Sequence, residues 1–383
     1  MRQHCPLLEI EVITSRNLYR SSGPRAKLSR HENWQGIEIT RLRTPRSNRP
    51  SLVMRLLTGG MFSVAALLRM LMRGRSDMVL IVTNPPSNAF AAALFARLTG
   101  TPYVYLVHDL YPDIAVALGY FDKRSLIVRL FAFFQKRWLN AASRVVVLGR
   151  CMQEHLRDHY DVSSEKTEVI SSWADPRVIK ASPRENDFRA AHGLAGFVVL
   201  YAGNFSHYVN FDQIIEAAHH LSGNTSVSFV LIGDGVRKKE LHAKIETGRL
   251  RNVRILPKVS RSAMNDVLAA ADVSLISLEP RMLGLGVPSK LYTTLAASRP
   301  VIAMVPSRSE VARILEEEKC GANIADGDSL GLAEAISRLQ ADPGLAAQMG
   351  QRARQALENR FTLQHAAERF YQVFRNVAAA RKS

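Results

Sequence analysis

Cysteine is scarce in this chain and scattered. Only Cys5, Cys151 and Cys320 occur in 383 residues. They lie far apart with no paired or metal-ligand spacing, which fits a reducing compartment and excludes a disulfide framework or a structural zinc knot. The histidines form no HExxH or related metal spacing. Asp326-Gly327-Asp328 has the form of a metal-binding acidic pair, but it sits before a helix, where turn and capping roles fit it better. No metal and no cofactor is expected. The opening residues, Met1 to Pro6, are polar and do not read as a secretory signal. No low-complexity segment or short repeat is present. The most apolar stretch, 51–73, is interrupted by Arg55, Arg69 and Arg73, so it does not read as a membrane span; a basic amphipathic helix lying on a membrane and a packed surface helix of the domain both fit it.

Acidic residues are also in deficit: 34 Asp and Glu stand against 51 Lys and Arg, a formal net charge of +17. More than half of the excess falls in residues 1–75, where 14 basic residues face 4 acidic ones. Nucleic acid, an anionic membrane face and plain solvation all suit such a surface. Zinc-finger spacing, RNP-type aromatics and basic-zipper heptads are missing, which argues against specific nucleic-acid recognition.

What is present is ample apolar material, 47% of residues with 22% charged, in a length that suits two domains. Alternation predicts strands over 10–14 and 37–42 on either side of a loop carrying Arg16, Arg20, Arg25, Lys27 and Arg30. The helix 51–73 contains Gly59-Gly60, a pair expected to loosen it. Met78 to Thr83 is a continuous apolar run of the kind buried in parallel sheets. A helix over 89–98, a strand over 103–107, a helix over 126–139 and strands over 144–148 and 167–170 follow. After a polar segment near 171–186 a second set begins, with strands over 197–202, 227–232, 253–256, 273–276 and 301–303 separated by helices. The reading is an α/β protein of two Rossmann-like domains, residues 1–175 and 176–360, with a final helix in 361–383. A cleft between such halves is the expected ligand site.

Several candidate residues fall at strand ends. His108-Asp109 could exchange a proton with a bound substrate, Asp109 orienting the imidazole or accepting from a sugar hydroxyl; a structural His-Asp pair is the competing reading. In Tyr201-Ala202-Gly203-Asn204-Phe205-Ser206, Gly203 removes a side chain where a phosphate could approach backbone amides, and Asn204 and Ser206 add polar groups. Gly233 marks a similar turn. Leu283-Gly284-Leu285-Gly286 reads as a flexible approach to Pro288-Ser289-Lys290. There Ser289 is a helix-cap candidate and Lys290 a cation beside the helix start. An ordinary helix with a solvated lysine is the alternative.

Taken together, His108-Asp109-Leu110-Tyr111-Pro112-Asp113, Arg144 to Leu148, Ser172-Trp173-Ala174-Asp175, Tyr201 to Asn204, Ala271-Asp272-Val273 and Pro288 to Ala303 resemble glycosyltransferase family 4 of the GT-B fold. The pattern is most similar to a subgroup that makes bacterial exopolysaccharides, the colanic-acid type among them. The resemblance implies parallel sheets facing across a cleft. It also implies metal-independent, retaining transfer of a hexosyl group from a nucleotide-sugar to a lipid-linked or polysaccharide acceptor. In that scheme His108 contacts the transferred sugar, and Gly203 and Asn204 line the diphosphate. Ser289 and Lys290 hold its oxygens, Leu291 packs by the nucleoside, and the base lies near Pro257 to Val259. The last helix crosses back onto the first domain. With the basic start, this places the protein in the cytoplasm, peripheral on the inner face of the membrane. Three positions differ from the family pattern. Its paired glutamates fall on Leu285 and Thr293, so Thr293 is left to reach the ribose. The basic residues usual after the Gly-Asn turn fall near His207 and Val209. The family's first strand, glycine loop and helix have no counterpart, so the N-terminal domain is expected to be incomplete. A catalytically impaired assembly partner is the alternative reading, and a nucleotide-sugar epimerase a more distant one.

Overall fold

The computed structural model describes residues 8–16, 28–45, 52–74 and 76–382. Cys5 and the predicted loop cations Arg20, Arg25 and Lys27 lie outside them.

The N-terminal half runs β1 (Glu11–Ser15), β2 (His31–Trp34), β3 (Ile37–Leu42), α1 (Leu52–Arg73), β4 (Val79–Val82), α2 (Asn88–Thr99), β5 (Tyr103–Val107), α3 (Asp113–Ala117), α4 (Leu126–Ala141), β6 (Arg144–Val147), α5 (Arg150–Tyr160) and β7 (Thr167–Val169). Its strands form two sheets, ordered β1-β3-β2 and β4-β5-β6-β7. The second is wholly parallel, whereas β2 joins β3 antiparallel. β5 is buried along its whole length, as expected of an apolar strand flanked on both sides. β4 is an edge strand: Ile81 is buried, but Leu80 and Val82 on its other face remain 42% and 38% exposed.

α1 ties the two sheets together. Its Arg69 and Arg73 pair with Glu11 of β1, and Ser63 Oγ donates to Asn88 Oδ1 at the start of α2. The Gly59-Gly60 pair does not loosen it. The helix runs through, and a Cβ on Gly59 would come within 2.8 Å of the Pro85 ring, so this glycine admits a close contact.

The C-terminal half contains α6 (Asp187–His192), β8 (Phe197–Asn204), α7 (Phe211–His220), β9 (Val227–Asp234), α8 (Lys238–Thr247), β10 (Val253–Leu256), α9 (Met264–Ala269), β11 (Val273–Ser277), α10 (Lys290–Ala296), β12 (Val301–Met304), α11 (Glu310–Glu318), β13 (Gly321–Ile324), α12 (Ser329–Ala341), α13 (Pro343–Arg360) and α14 (Leu363–Lys382). Six parallel strands are ordered β10-β9-β8-β11-β12-β13. The chain therefore builds outward in one direction from β8 and then in the other from β11. A crevice opens at their carboxyl ends, where such sheets bind ligands. Asp272 of the Ala271-Asp272-Val273 motif is structural. Its buried carboxylate accepts from the Val198 amide and pairs with Arg184 and Arg189, fixing where β8 and β11 begin.

The halves are joined in three ways. α14 returns to the first half, where Phe370 meets Trp173 edge-on and Arg381 donates to the carbonyls of Ser76 and Asp77. Charged side chains link α5 to the α11 region: Arg150 to Glu310 and Glu317, and Glu154 to Arg308 and Arg313. One apolar cluster continues from Leu110, Cys151 and Leu156 into Leu285, Leu291 and Val311.

Candidate active site

The crevice is built around Lys290. β8 ends at Gly203 and Asn204, which lie in register with Gly233 and Asp234 of β9. The loop after β11 delivers Pro288-Ser289-Lys290 to the same edge. There the Lys290 ammonium sits 3.9 Å from the centroid of the Tyr201 ring. A Cβ on Gly203 would lie 2.7 Å from Lys290 Nζ, so glycine is what leaves the ammonium its place. Tyr201 is held by its hydroxyl, which donates to the Asn204 carbonyl at 3.0 Å. Among the described residues no carboxylate pairs with Lys290, and desolvation pulls its pKa from 10.5 down to about 7. A cation held over a π face without a counter-ion is a site for an anion. The Ser206 hydroxyl, buried close by in sequence, has no hydrogen-bond partner among the described residues.

Other predicted donor-side residues take different places. Ser289 precedes α10 but has helical dihedrals and makes no side-chain cap bond, so the predicted cap is not formed. α10 itself has only seven residues, which leaves Lys290, rather than a helix terminus, as the positive group. Leu291 points into the core and is fully buried, so it does not line the crevice as expected. Thr293 turns its hydroxyl back onto the Lys290 carbonyl at 2.9 Å, which leaves it poorly placed to hold a ribose. Gly233 is a packing residue, since a Cβ there would meet the Gly203 carbonyl at 1.9 Å. Pro257 and Val259 follow β10 near the rim of the sheet, Pro257 exposed and Val259 half-buried. Among the described residues no three His, Cys, Asp or Glu side chains gather in a metal-holding group. Asp326 and Asp328 do turn work, accepting from Asn210 and from the Gly331 amide.

Across the cleft, β5 ends at His108 and Asp109, both with exposed side chains. Their backbone amides donate to one acceptor, the buried Thr83 Oγ1, at 3.0 and 3.3 Å. Desolvation lowers the His108 pKa, opposed by Asp109; it raises that of Asp109, opposed by His108. The imidazole is thereby kept neutral at physiological pH, able to donate or accept.

The Leu283 to Gly286 segment is not a loose approach. Leu285 is buried and its carbonyl accepts from the Leu110 amide at 3.0 Å, and a Cβ on Gly286 would lie 3.4 Å from Asp109 Oδ1. This segment carries the donor-side loop directly against the His108 turn. Thr83 was not singled out from the sequence, and Tyr201 entered only as the first residue of the Tyr201 to Asn204 motif, with no role of its own. A threonine closing an apolar strand run at Asn84-Pro85-Pro86 was the available signal for Thr83.

Two family models match the chain: the glycosyl transferase 4-like domain over residues 7–173, and glycosyl transferases group 1 over residues 196–342. The probable glycosyltransferase WbjE of Pseudomonas aeruginosa is 32% identical over 305 residues, covering 77% of this chain and 74% of the relative. The chain belongs to the glycosyltransferases. A second relative, the putative colanic acid biosynthesis glycosyl transferase WcaI of Escherichia coli K12, is 23% identical over 276 residues, covering 70% of this glycosyltransferase and 67% of WcaI. Among solved structures, Anabaena HepE in complex with UDP superposes with a TM-score of 0.69 at 19% identity, covering 89% of this chain and 86% of HepE. WaaG, a glycosyltransferase involved in lipopolysaccharide biosynthesis, gives a TM-score of 0.68 at 16% identity, covering 95% and 91%. At those identities the likeness concerns the fold, which is GT-B: two α/β domains with parallel sheets flanking a cleft. The two matched models leave residues 174–195 between them.

Proposed function

We propose that this glycosyltransferase moves a sugar from a nucleotide-sugar held by the C-terminal half to a lipid-linked or polysaccharide acceptor held by the N-terminal half. The reaction would serve bacterial surface or exopolysaccharide synthesis at the inner face of the membrane. The observation that carries the reading is the unpaired Lys290 ammonium between Tyr201 and Gly203. A glycosyl donor leaves as a nucleoside diphosphate, and its developing charge needs a positive group already in place. Lys290 is such a group, with the backbone around Gly203 and Asn204 open beside it. His108, on the first-half turn against which Gly286 of the donor-side loop packs, is neutral and free to hydrogen-bond the transferred sugar. Asp109 stands beside it as a weak base for an acceptor hydroxyl.

Retention at the anomeric carbon and independence of metal belong to the same proposal. What supports metal independence is the Lys290 ammonium, a positive group that could relieve the charge of the leaving diphosphate; retention is carried by the family pattern. The test is binding of UDP-, GDP- and dTDP-sugars by calorimetry, followed by anomeric analysis of the product made with and without EDTA. The reading fails if none of the donors binds the full-length chain.

The divided N-terminal sheet favours a second reading. Among the described residues β1 and β4 each pair with a strand on one side only, and Leu80 and Val82 are 42% and 38% exposed. In this reading the chain acts as a catalytically impaired partner in an assembly. The reading predicts donor binding without turnover, and it falls if residues 1–383 alone turn over.

A further inference from the structure

We propose that the layer formed by α1, α2 and α4 is a docking face for an anionic lipid bilayer, deepening the glycosyl-transfer reading on which its link to the acceptor rests. The three helices lie side by side. α1 meets the start of α2 through Gly59 against Pro85 and Ser63 against Ser87 and Asn88. α2 meets α4 where the Phe90 and Trp138 rings pack edge-on at 6.2 Å.

The composition of this layer sets it apart. None of its three helices contains an Asp or Glu, whereas every other described helix of eight or more residues carries at least one. Large apolar side chains stand in solvent along it: Leu57 is 58% exposed, Met61 54%, Leu68 55%, Phe90 48%, Leu126 78% and Ile127 70%. Between them Arg55, Arg97, Arg129 and Arg137 are exposed, and among the described residues none pairs with a carboxylate. Arg137 instead lies over the Phe133 ring at 4.3 Å. Apolar side chains mixed with unpaired cations of one sign, spread over neighbouring helices, match the boundary between anionic headgroups and acyl chains. An exposed apolar area of this extent is not left bare on a soluble monomer.

Among the described residues α1 alone is long and apolar enough, over Met54–Arg73, to cross a membrane, with 11% of that window buried. Its pairing with Glu11 and its seat on α2 tie it to the domain, so it lies along the bilayer rather than through it. The position of the layer fits the acceptor side. From His108 the chain runs through the short α3 and the exposed Tyr120 directly to Leu126 and Ile127, its most exposed apolar pair on this face. A lipid-borne acceptor would be met where this half contributes to the cleft.

The experiment is co-sedimentation of the full chain with vesicles of phosphatidylcholine alone and of phosphatidylcholine with about one quarter phosphatidylglycerol. Wild type should pellet with the anionic vesicles and largely stay in solution with the neutral ones, more weakly as salt rises. Leu126→Asp with Ile127→Asp should weaken vesicle binding roughly tenfold or more. Donor affinity and melting temperature should stay unchanged, because both side chains already stand in solvent. Failure of wild type to bind anionic vesicles, or undiminished binding by the double variant, overturns the proposal. So does a vesicle-free dimer that the same variant dissociates, which would assign the face to a second copy. Donor binding is measured without vesicles, so its failure counts against the glycosyl-transfer reading and not against the docking face.

Discussion

Lys290→Met separates what the lysine does for the ligand from what it costs the fold. In the ligand-free protein the ammonium sits over Tyr201 with no carboxylate, and its pKa falls from 10.5 to about 7. A diphosphate beside it supplies the missing counter-charge and restores the proton, so binding above neutral pH takes up a proton. Affinity should then be greatest below pH 7 and fall by about tenfold per pH unit from pH 7 to pH 9. Removing the charge-assisted contact should cost about 2 kcal/mol, roughly thirtyfold in Kd, at pH 7 or below. The same change should flatten the pH dependence. For stability the sign is opposite. Between pH 7 and 10.5 the unfolded chain holds the lysine proton and the folded one has released it, so ligand-free stability rises with pH across that window. Lys290→Met removes the burial cost and should stabilise the free protein at neutral pH by on the order of 1 kcal/mol, allowing for partial exposure. Calorimetry of donor binding in buffers of different ionisation enthalpy, beside thermal melts at pH 6 to 9, reads both effects. A Kd that ignores pH in the wild type, or that survives the substitution, would refute the assignment of Lys290.

Gly203→Ala and Gly233→Ala make a contrasting pair. The first new methyl meets the mobile end of Lys290, so donor affinity should drop about tenfold with the melting temperature nearly kept. The second meets the Gly203 backbone and should destabilise the sheet by several kcal/mol, read as loss of soluble, foldable protein. Thr83→Val removes the one acceptor shared by the His108 and Asp109 amides. Turnover should fall with a stability loss of about 1–3 kcal/mol, while Thr83→Ser should recover both. Glu310→Ala leaves the partly buried Arg150 without its main partner between the halves. It should lower stability by about 2–3 kcal/mol in chemical denaturation and loosen the domain arrangement seen by small-angle scattering.

Much of the framework was legible from local pattern. Buried parallel strands are continuous apolar runs, so Met78 to Thr83, Tyr103 to Val107 and Phe197 to Ala202 announced themselves. Two such sets around a polar segment gave two α/β halves. Lys290 and Gly203 were singled out because strand ends and helix starts leave marks in glycine and proline, and the structure brings the two together. Pattern failed where a side chain's partner lies far along the chain. Leu291 and Thr293 follow Lys290 on the same helix, yet one is consumed by the core and the other by a carbonyl one turn back. Gly59-Gly60 read as a weak point because the Pro85 ring it accommodates is a tertiary neighbour.

What the sequence determined by itself was the class of fold, two sets of alternating strands and helices, because these follow from periodicity and backbone chemistry that act within a few residues. Only the tertiary structure decided that the Lys290 charge is unpaired, since that depends on what Tyr201 and Gly203 place around it. It alone showed Thr83 beneath the His108 turn, a sheet divided between β1 and β4, and three acid-free helices gathered into one face. Each of these is a relation between segments distant in the chain. Packing brings them together, and no local pattern of residues records it.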